Sequence, residues 1–184
     1  MSMRAVATEL GTSAGSLYRY LSSRDDLVDL MIDRLVGELR PYPQADSGWL
    51  DTMLLLARQQ LALHRRHPWL LDVIQRSTGT GPESLAWFDN CIRTLQPLRR
   101  PVTAKFEAIA MMTGVVSLIA RREATSQTFT FVGVDLAAYP HLAAAFTQPS
   151  VPAPQQDLFE RTLRALLTGL LIAEPPEQAW PSEA

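Results

Sequence analysis

The stretch Leu10–Val28, LGTSAGSLYRYLSSRDDLV, decides how this chain is read. Its glycine separates two short runs of helical spacing. Upstream, Ser2 is suited to cap a helix over Met3 to Leu10, with Val6 and Leu10 on one face at i and i+4 and the small Ala7 beside them. Gly11 is placed to end that helix in the left-handed conformation. Downstream, Ser13 is suited to cap a second helix from Ala14 to about Leu21, whose Leu17 and Leu21 point back at Val6 and Leu10. Ser23 caps a third, with Asp25 and Asp26 in its first turn and Asp26 at the capping-box position. This arrangement turns Ala14, Gly15, Ser16, Tyr18, Arg19 and Tyr20 away from the buried side. Small residues at the second helix's start let the backbone approach a groove, and hydroxyls and arginines behind them can hold phosphates. That is the chemistry of a helix-turn-helix.

Composition is compatible with this reading without requiring it. The chain has 184 residues, 47% apolar and 20% charged, enough for a sizeable core. A net charge of −2 gives no global basic signal, so any contact with nucleic acid rests on local arrangement. The single cysteine, Cys91, cannot form an internal disulfide and reads as a small core residue. The opening MSMRAVATEL lacks the apolar run of a signal peptide. The apolar stretch Ala108–Ala120, flanked by Lys105, Glu107, Arg121 and Arg122, falls short of the ~18 residues of a membrane span. A cytoplasmic protein without membrane partners is the expectation.

Beyond the first forty residues the periodicity is helical. Leu50, Met53, Leu54, Ala57 and Leu61 recur at three- and four-residue steps, and so do Leu85, Phe88, Ile92 and Leu95. Phe106, Ile109, Thr113, Val116 and Ala120 form a third series, and Phe159, Leu163, Leu166 and Leu170 a fourth. Most of the 13 prolines punctuate these runs. Strand alternation is confined to the short QTFTFV, and a further helix is expected from Asp135 to Phe146. The fold class is therefore all-α.

The segment MRAVATELGTSAGSLYRYLSSRDDLVDLM resembles the helix-turn-helix of the tetracycline-repressor (TetR) family of transcriptional regulators. HPWLLDVIQRSTGTGPESLAWF and LFERTLRALLTGL resemble its ligand-binding and dimerisation domain. The resemblance implies two domains, a DNA-binding one over residues 1–40 and a ligand-binding one over 41–184. It also implies a homodimer that reads a palindromic operator and releases it when a small effector binds. Carried onto this sequence, Arg4, Ala14, Gly15 and Tyr18 fall where the family contacts bases, and Ser16, Arg19, Tyr20 and Arg24 where it holds phosphates. His64, Trp69, Trp87, Phe88, Phe106, Met111 and Met112 fall on helices that surround the family's effector. Gln60, Asn90, Thr113 and Ser117 are the other polar groups within reach, so an apolar or aromatic effector is favoured.

The family carries a further helix before the segment quoted above. The chain is accordingly expected to lack that first helix, which would cover Val6, Leu10, Leu17 and Leu21 and add positive charge. No cofactor or metal is expected. His64 and His67 have a spacing that could bind one, but no neighbouring cysteine or carboxylate completes the set. Two other functions compete with a repressor: a helical ligand-binding dimer that has lost DNA binding, and a helical enzyme. The latter would require an acid, base or nucleophile constellation that the sequence does not display.

Overall fold

Serines and glycines set the helix ends as their chemistry dictates. The computed structural model describes residues 2–44, 46, 48–74, 81–125, 138–147 and 157–172. Among these, helix α1 spans Met3–Glu9, with the Ser2 side chain accepting from the Ala5 amide. Helix α2 spans Ala14–Leu17, with Ser13 accepting from Ser16. Between them Gly11 sits at φ 65°, the left-handed conformation a non-glycine residue resists. Helix α3 spans Arg24–Val36 and opens on a complete capping box between Ser23 and Asp26. The Asp26 carboxyl is held below its ordinary pKa first by the Ser23 hydroxyl and then by the Ser22 amide.

Two details of the opening differ from expectation. The second helix ends at Leu17, and residues 18–20 form a turn that leads to buried Leu21. On α1 the buried pair is Met3 and Ala7, while Leu10 is 64% exposed. The small Ala7 lets α2 close over α1, so the inward face lies one position along from Val6 and Leu10.

A short 3₁₀ turn over Gly37–Leu39 leads from α3 toward α4 (Trp49–Arg66). Then come α5 (Leu70–Val73), α6 (Pro82–Thr94), α7 (Val102–Thr125), α8 (Pro140–Thr147) and α9 (Leu158–Leu171). The core lies where α4, α7 and α9 pack together, built on Met53, Leu56, Ile109, Met112, Leu163 and Leu167. Truncating any of these to alanine should cost about 2–5 kcal/mol, the usual range for deleting buried aliphatic side chains. At its rim, Arg164 pairs with Asp51 and Glu160, and Arg65 grips Glu123 through two hydrogen bonds of 2.7 and 2.8 Å. These ion pairs link α4 to α7 and α9 at the surface.

The buried stripes differ from the apolar series in three helices. Helix α6 buries Trp87, Asn90 and Cys91, while Leu85 is 57% exposed. Helix α7 buries Ala108, Ile109, Met112, Val116 and Ala120, leaving Phe106 outside. Helix α9 buries Phe159, Leu163, Leu167 and Leu171, not Leu170. Each helix carries more apolar residues than one buried face holds, so spacing alone admits more than one rotation. Helix α7 runs well beyond the apolar stretch and, by length and composition, could cross a membrane. It instead packs one face against α4 and α9. Helix α8 begins at Pro140; residues 135–137 and the QTFTFV stretch lie outside the described residues.

Candidate functional site

Two surfaces collect the residues singled out in the sequence. The first is the outer side of α1 and α2. Arg4, Gly15, Tyr18, Arg19, Tyr20 and Arg24 are all exposed there, and Ala14 and Ser16 are half-buried. The Ser16 hydroxyl lies 3.0 Å from that of Ser13, so it shares the cap of its own helix. The Arg19 guanidinium lies over the Tyr20 ring at 6.0 Å, which holds a cation beside an exposed aromatic. A side chain added at Gly15 would meet only the Ser13 hydroxyl, at 3.9 Å. The backbone at the start of α2 can therefore be approached closely from outside.

The second surface is internal. A cavity of about 280 Å³ lies among α3, α4, α5, α6 and α7. Ile32, Val36, Leu39, Leu63, Leu70 and Ile74 supply its aliphatic walls. Trp87 and Phe88 line it from α6, their rings edge to face with centroids 5.2 Å apart. Gln60, His64, Ser84 and Thr113 complete the lining, which among the described residues contains no charged side chain. Ile74, Phe88 and Thr113 also border a groove that continues along Gly114, Ser117 and Leu118 of α7.

Of the effector residues expected from the sequence, His64, Trp87 and Phe88 reach this cavity. Met112 is fully buried in the main core instead. Trp69, Phe106 and Met111 are exposed outside it. On α7 the side of the helix facing α4 and α9 takes Ile109, Met112 and Val116, which leaves Phe106 and Met111 on the other side. Asn90 is buried elsewhere, with its carbonyl oxygen accepting from Arg93 at 2.6 Å.

The electrostatics of the cavity are unusual for an apolar core. His64 is 1% exposed and neither ring nitrogen has a hydrogen-bond partner. Burial lowers its pKa below 6.5 and keeps the imidazole neutral. The Gln60 carbonyl oxygen, the Trp87 indole nitrogen and the Thr113 hydroxyl are likewise buried and unpaired. Nearby, burial pushes the Cys91 thiol up to about 12, which removes any thiolate character. His67 turns away toward Glu38, with the atoms 3.4 Å apart. Among the described residues no three metal-ligating side chains cluster.

One residue that ties α3 to the cavity wall escaped the sequence reading. Asp33, buried on α3, caps the start of α6 from fifty residues away. Its carboxylate accepts from the Glu83 amide at 3.3 Å, from the Ser84 amide at 2.9 Å and from the Ser84 hydroxyl at 3.0 Å. A signal was available: α6 begins Gly81-Pro82 with no side-chain cap of its own, so its first amides need an acceptor from outside.

Comparison with known proteins agrees with this layout. The family model for bacterial regulatory proteins of the tetR family matches residues 1–31, and that for the tetracyclin repressor-like C-terminal domain matches residues 41–173. The HTH-type transcriptional repressor DrrR1 of Streptomyces coeruleorubidus is 38% identical over 128 residues, 69% of this chain and 47% of DrrR1. An HTH-type transcriptional regulator of Saccharopolyspora erythraea is 31% identical over 86 residues, 47% of this chain and 36% of its own length. The chain thus spans less than half the length of these two relatives in the matched regions. Among solved structures, the Streptomyces coelicolor TetR family protein ActR in complex with actinorhodin has a similar fold, with a TM-score of 0.74 at 20% identity over 92% of this chain and 86% of that one. A possible TetR family transcriptional regulator from the same organism gives 0.67 at 25% identity over 92% and 88%. With both family models matched along most of its length and the helical architecture shared, the chain belongs to the TetR family of bacterial regulatory proteins.

Proposed function

We propose that the protein is a transcriptional repressor rather than an enzyme, and that residues 1–40 read an operator which an effector in the domain of residues 41–184 causes it to release. The observation that carries this reading is the position of α3. Ile32 and Val36 of α3 form part of the cavity wall, while the same helix begins one turn after α2 and carries Arg24 at its outer end. A ligand that enlarges or reshapes the cavity can displace α3 or α6, two of the helices that wall it. The Asp33 cap ties those two helices to each other, so a shift of one is passed to the other. Differential affinity for the two positions of α3 is all that a ligand needs to shift the population that fits DNA.

Reading is assigned to the outer set on α1, α2, the turn after α2 and the start of α3. Arg4, Ala14, Gly15 and Tyr18 are offered to base edges, and Ser16, Arg19, Tyr20 and Arg24 to phosphates. A homodimer would set two such heads against an inverted repeat. Its contact is assigned to the outward sides of α7 and α9, where Met111 of α7 and Leu158 and Ile172 at the ends of α9 are exposed. A bacterial fold relative, ActR, was solved with actinorhodin bound, which supports a small-molecule role for this architecture. Such a protein would act in the cytoplasm, where its DNA is.

Selection of genomic fragments by the purified protein tests the proposal. Retention of fragments sharing an inverted repeat is the expected result. Uniform retention, or none, would overturn it and favour a helical ligand-binding dimer without DNA reading.

A further inference from the structure

The cavity combines an aromatic and aliphatic wall with polar atoms that have nothing to bond. A cavity meant for an apolar guest would leave those atoms a permanent cost, since a buried unpaired donor or acceptor loses its water and gains nothing. Their inventory therefore describes what is missing. The Trp87 indole N–H can only donate, so its partner must be an acceptor. The Gln60 amide oxygen can only accept, so its partner must be a donor. The neutral His64 ring offers one of each, and the Thr113 hydroxyl can do either. Among the described residues no charged side chain lines the space, so they offer an ionised guest no compensation. Trp87 and Phe88 both line the space, which suits it to an aromatic guest.

We infer that the cavity takes an uncharged aromatic compound carrying both a hydroxyl and a carbonyl, with the carbonyl accepting from Trp87 and the hydroxyl serving Gln60, His64 or Thr113. This rests on reading the cavity as the effector site, and it adds a donor and an acceptor to the apolar or aromatic effector that the sequence favours. A site with buried groups that need partners discriminates strongly against guests that lack them, much more so than a greasy pocket discriminates by size. The Gln60 requirement survives a rotation of its amide, because a hydroxyl satisfies either end.

Calorimetric titration of the full chain, without DNA, with four bicyclic probes tests the inference. Tetralin has no polar group, tetralone an acceptor, hydroxytetralone an acceptor and a donor, and tetralin carboxylate a charge. Hydroxytetralone should bind at least about tenfold more tightly than tetralin, with tetralone between them and the carboxylate weakest. Trp87→Phe should abolish the preference for tetralone over tetralin. Gln60→Leu should weaken hydroxytetralone binding while raising the melting temperature of the free protein, because it removes an unpaired buried group. A merely structural Gln60 would lower that temperature. Equal affinity for tetralin and hydroxytetralone, tightest binding of the carboxylate, or no binding by any probe at millimolar concentration would overturn the inference. Failure of a bound hydroxytetralone to release operator DNA would instead count against the repressor reading and leave the ligand chemistry standing.

Discussion

Asp33 and Ser84 lie fifty-one residues apart in sequence, and the carboxylate of one accepts both the backbone amide and the hydroxyl of the other, at 2.9 and 3.0 Å. The helix that follows the proposed reading head thus supplies the cap of a helix that walls the cavity. The fit is tight: a Cβ built on Gly81 would lie 2.2 Å from the Asp33 carboxyl carbon. Gly81→Ala should therefore destabilise the protein, and Asp33→Ala should cost about 1–2 kcal/mol, the worth of a helix cap. The two changes should couple, because without the Asp33 carboxylate the alanine at position 81 has nothing to strike. Chemical denaturation of both single variants and the double variant checks this. Additive costs would mean that the cap does not join the two helices.

The reading head predicts two different kinds of loss. Tyr18 is exposed at the end of α2, and Tyr18→Ala should weaken binding to the operator while leaving non-specific binding nearly unchanged. Arg24→Ala should weaken binding to every sequence alike and reduce the slope of log affinity against log salt by about 1. Fluorescence anisotropy on operator and scrambled duplexes at several salt concentrations separates them. Equal loss of specificity in both variants would reverse the assignment.

How legible this was in the sequence depended on whether the determinant was local. Ser2, Ser13, Ser23, Asp26 and Gly11 act within four residues of themselves, and their roles in α1 to α3 could be read directly. Helix rotation could not. In α6 the series Leu85, Phe88, Ile92 and the series Trp87, Cys91 have equal helical spacing, and only packing against neighbouring helices selects the second for deep burial. The cavity was half legible for the same reason. His64, Trp87 and Phe88 are conspicuous residue types on helices that meet, whereas Ile32 and Ser84 are inconspicuous lining residues, brought together by the Asp33–Ser84 contact across fifty-one residues. Trp69, Phe106 and Met111 share that conspicuous chemistry but lie outside the cavity.

Self-association has a test that separates it from folding. On α9 the side opposite the buried stripe carries Leu158, Ala165, Gly169 and Ile172, and a Cβ added at Gly169 meets nothing within 4 Å. Gly169→Leu should leave the single chain's fold intact, and even favour the helix, since glycine is about 1 kcal/mol poorer than a good helix former. A partner packed closely on that face would be pushed away. Sedimentation should then show weaker dimerisation at unchanged helicity, while Leu85→Glu, on exposed α6 surface, should not alter it. A Gly169→Leu variant that dimerises as before would move the contact elsewhere.

Cys91 offers a probe of the cavity domain's opening. It is fully buried and its thiol is pushed up to about 12 by burial, so the native state should resist alkylation at neutral pH. Labelling should proceed at the rate at which α6 leaves the core, and a ligand bound beside Trp87 should slow it. Labelling as fast as that of a free thiol would contradict the packing of α6.

The imidazole of His64 makes stability depend on pH in a calculable direction. Burial without a hydrogen-bond partner lowers its folded pKa below the ordinary 6.5, so the unfolded chain binds the proton more readily than the folded one. Stability is then complete above about pH 6.5 and falls as the pH drops toward the folded value. His64→Gln keeps a neutral polar side chain of similar reach and removes that proton. The chain has three histidines, and the other two, with every carboxylate, are present in both proteins, so subtracting one pH profile from the other isolates this group. Urea denaturation between about pH 5 and pH 8 should show the wild type losing stability relative to His64→Gln as acid is added. A bound ligand that pairs with the neutral ring should steepen the wild-type loss, because protonation then breaks that contact as well. Parallel profiles would show that His64 takes up its proton as easily in the folded cavity as in water, and that the cavity around it is wet.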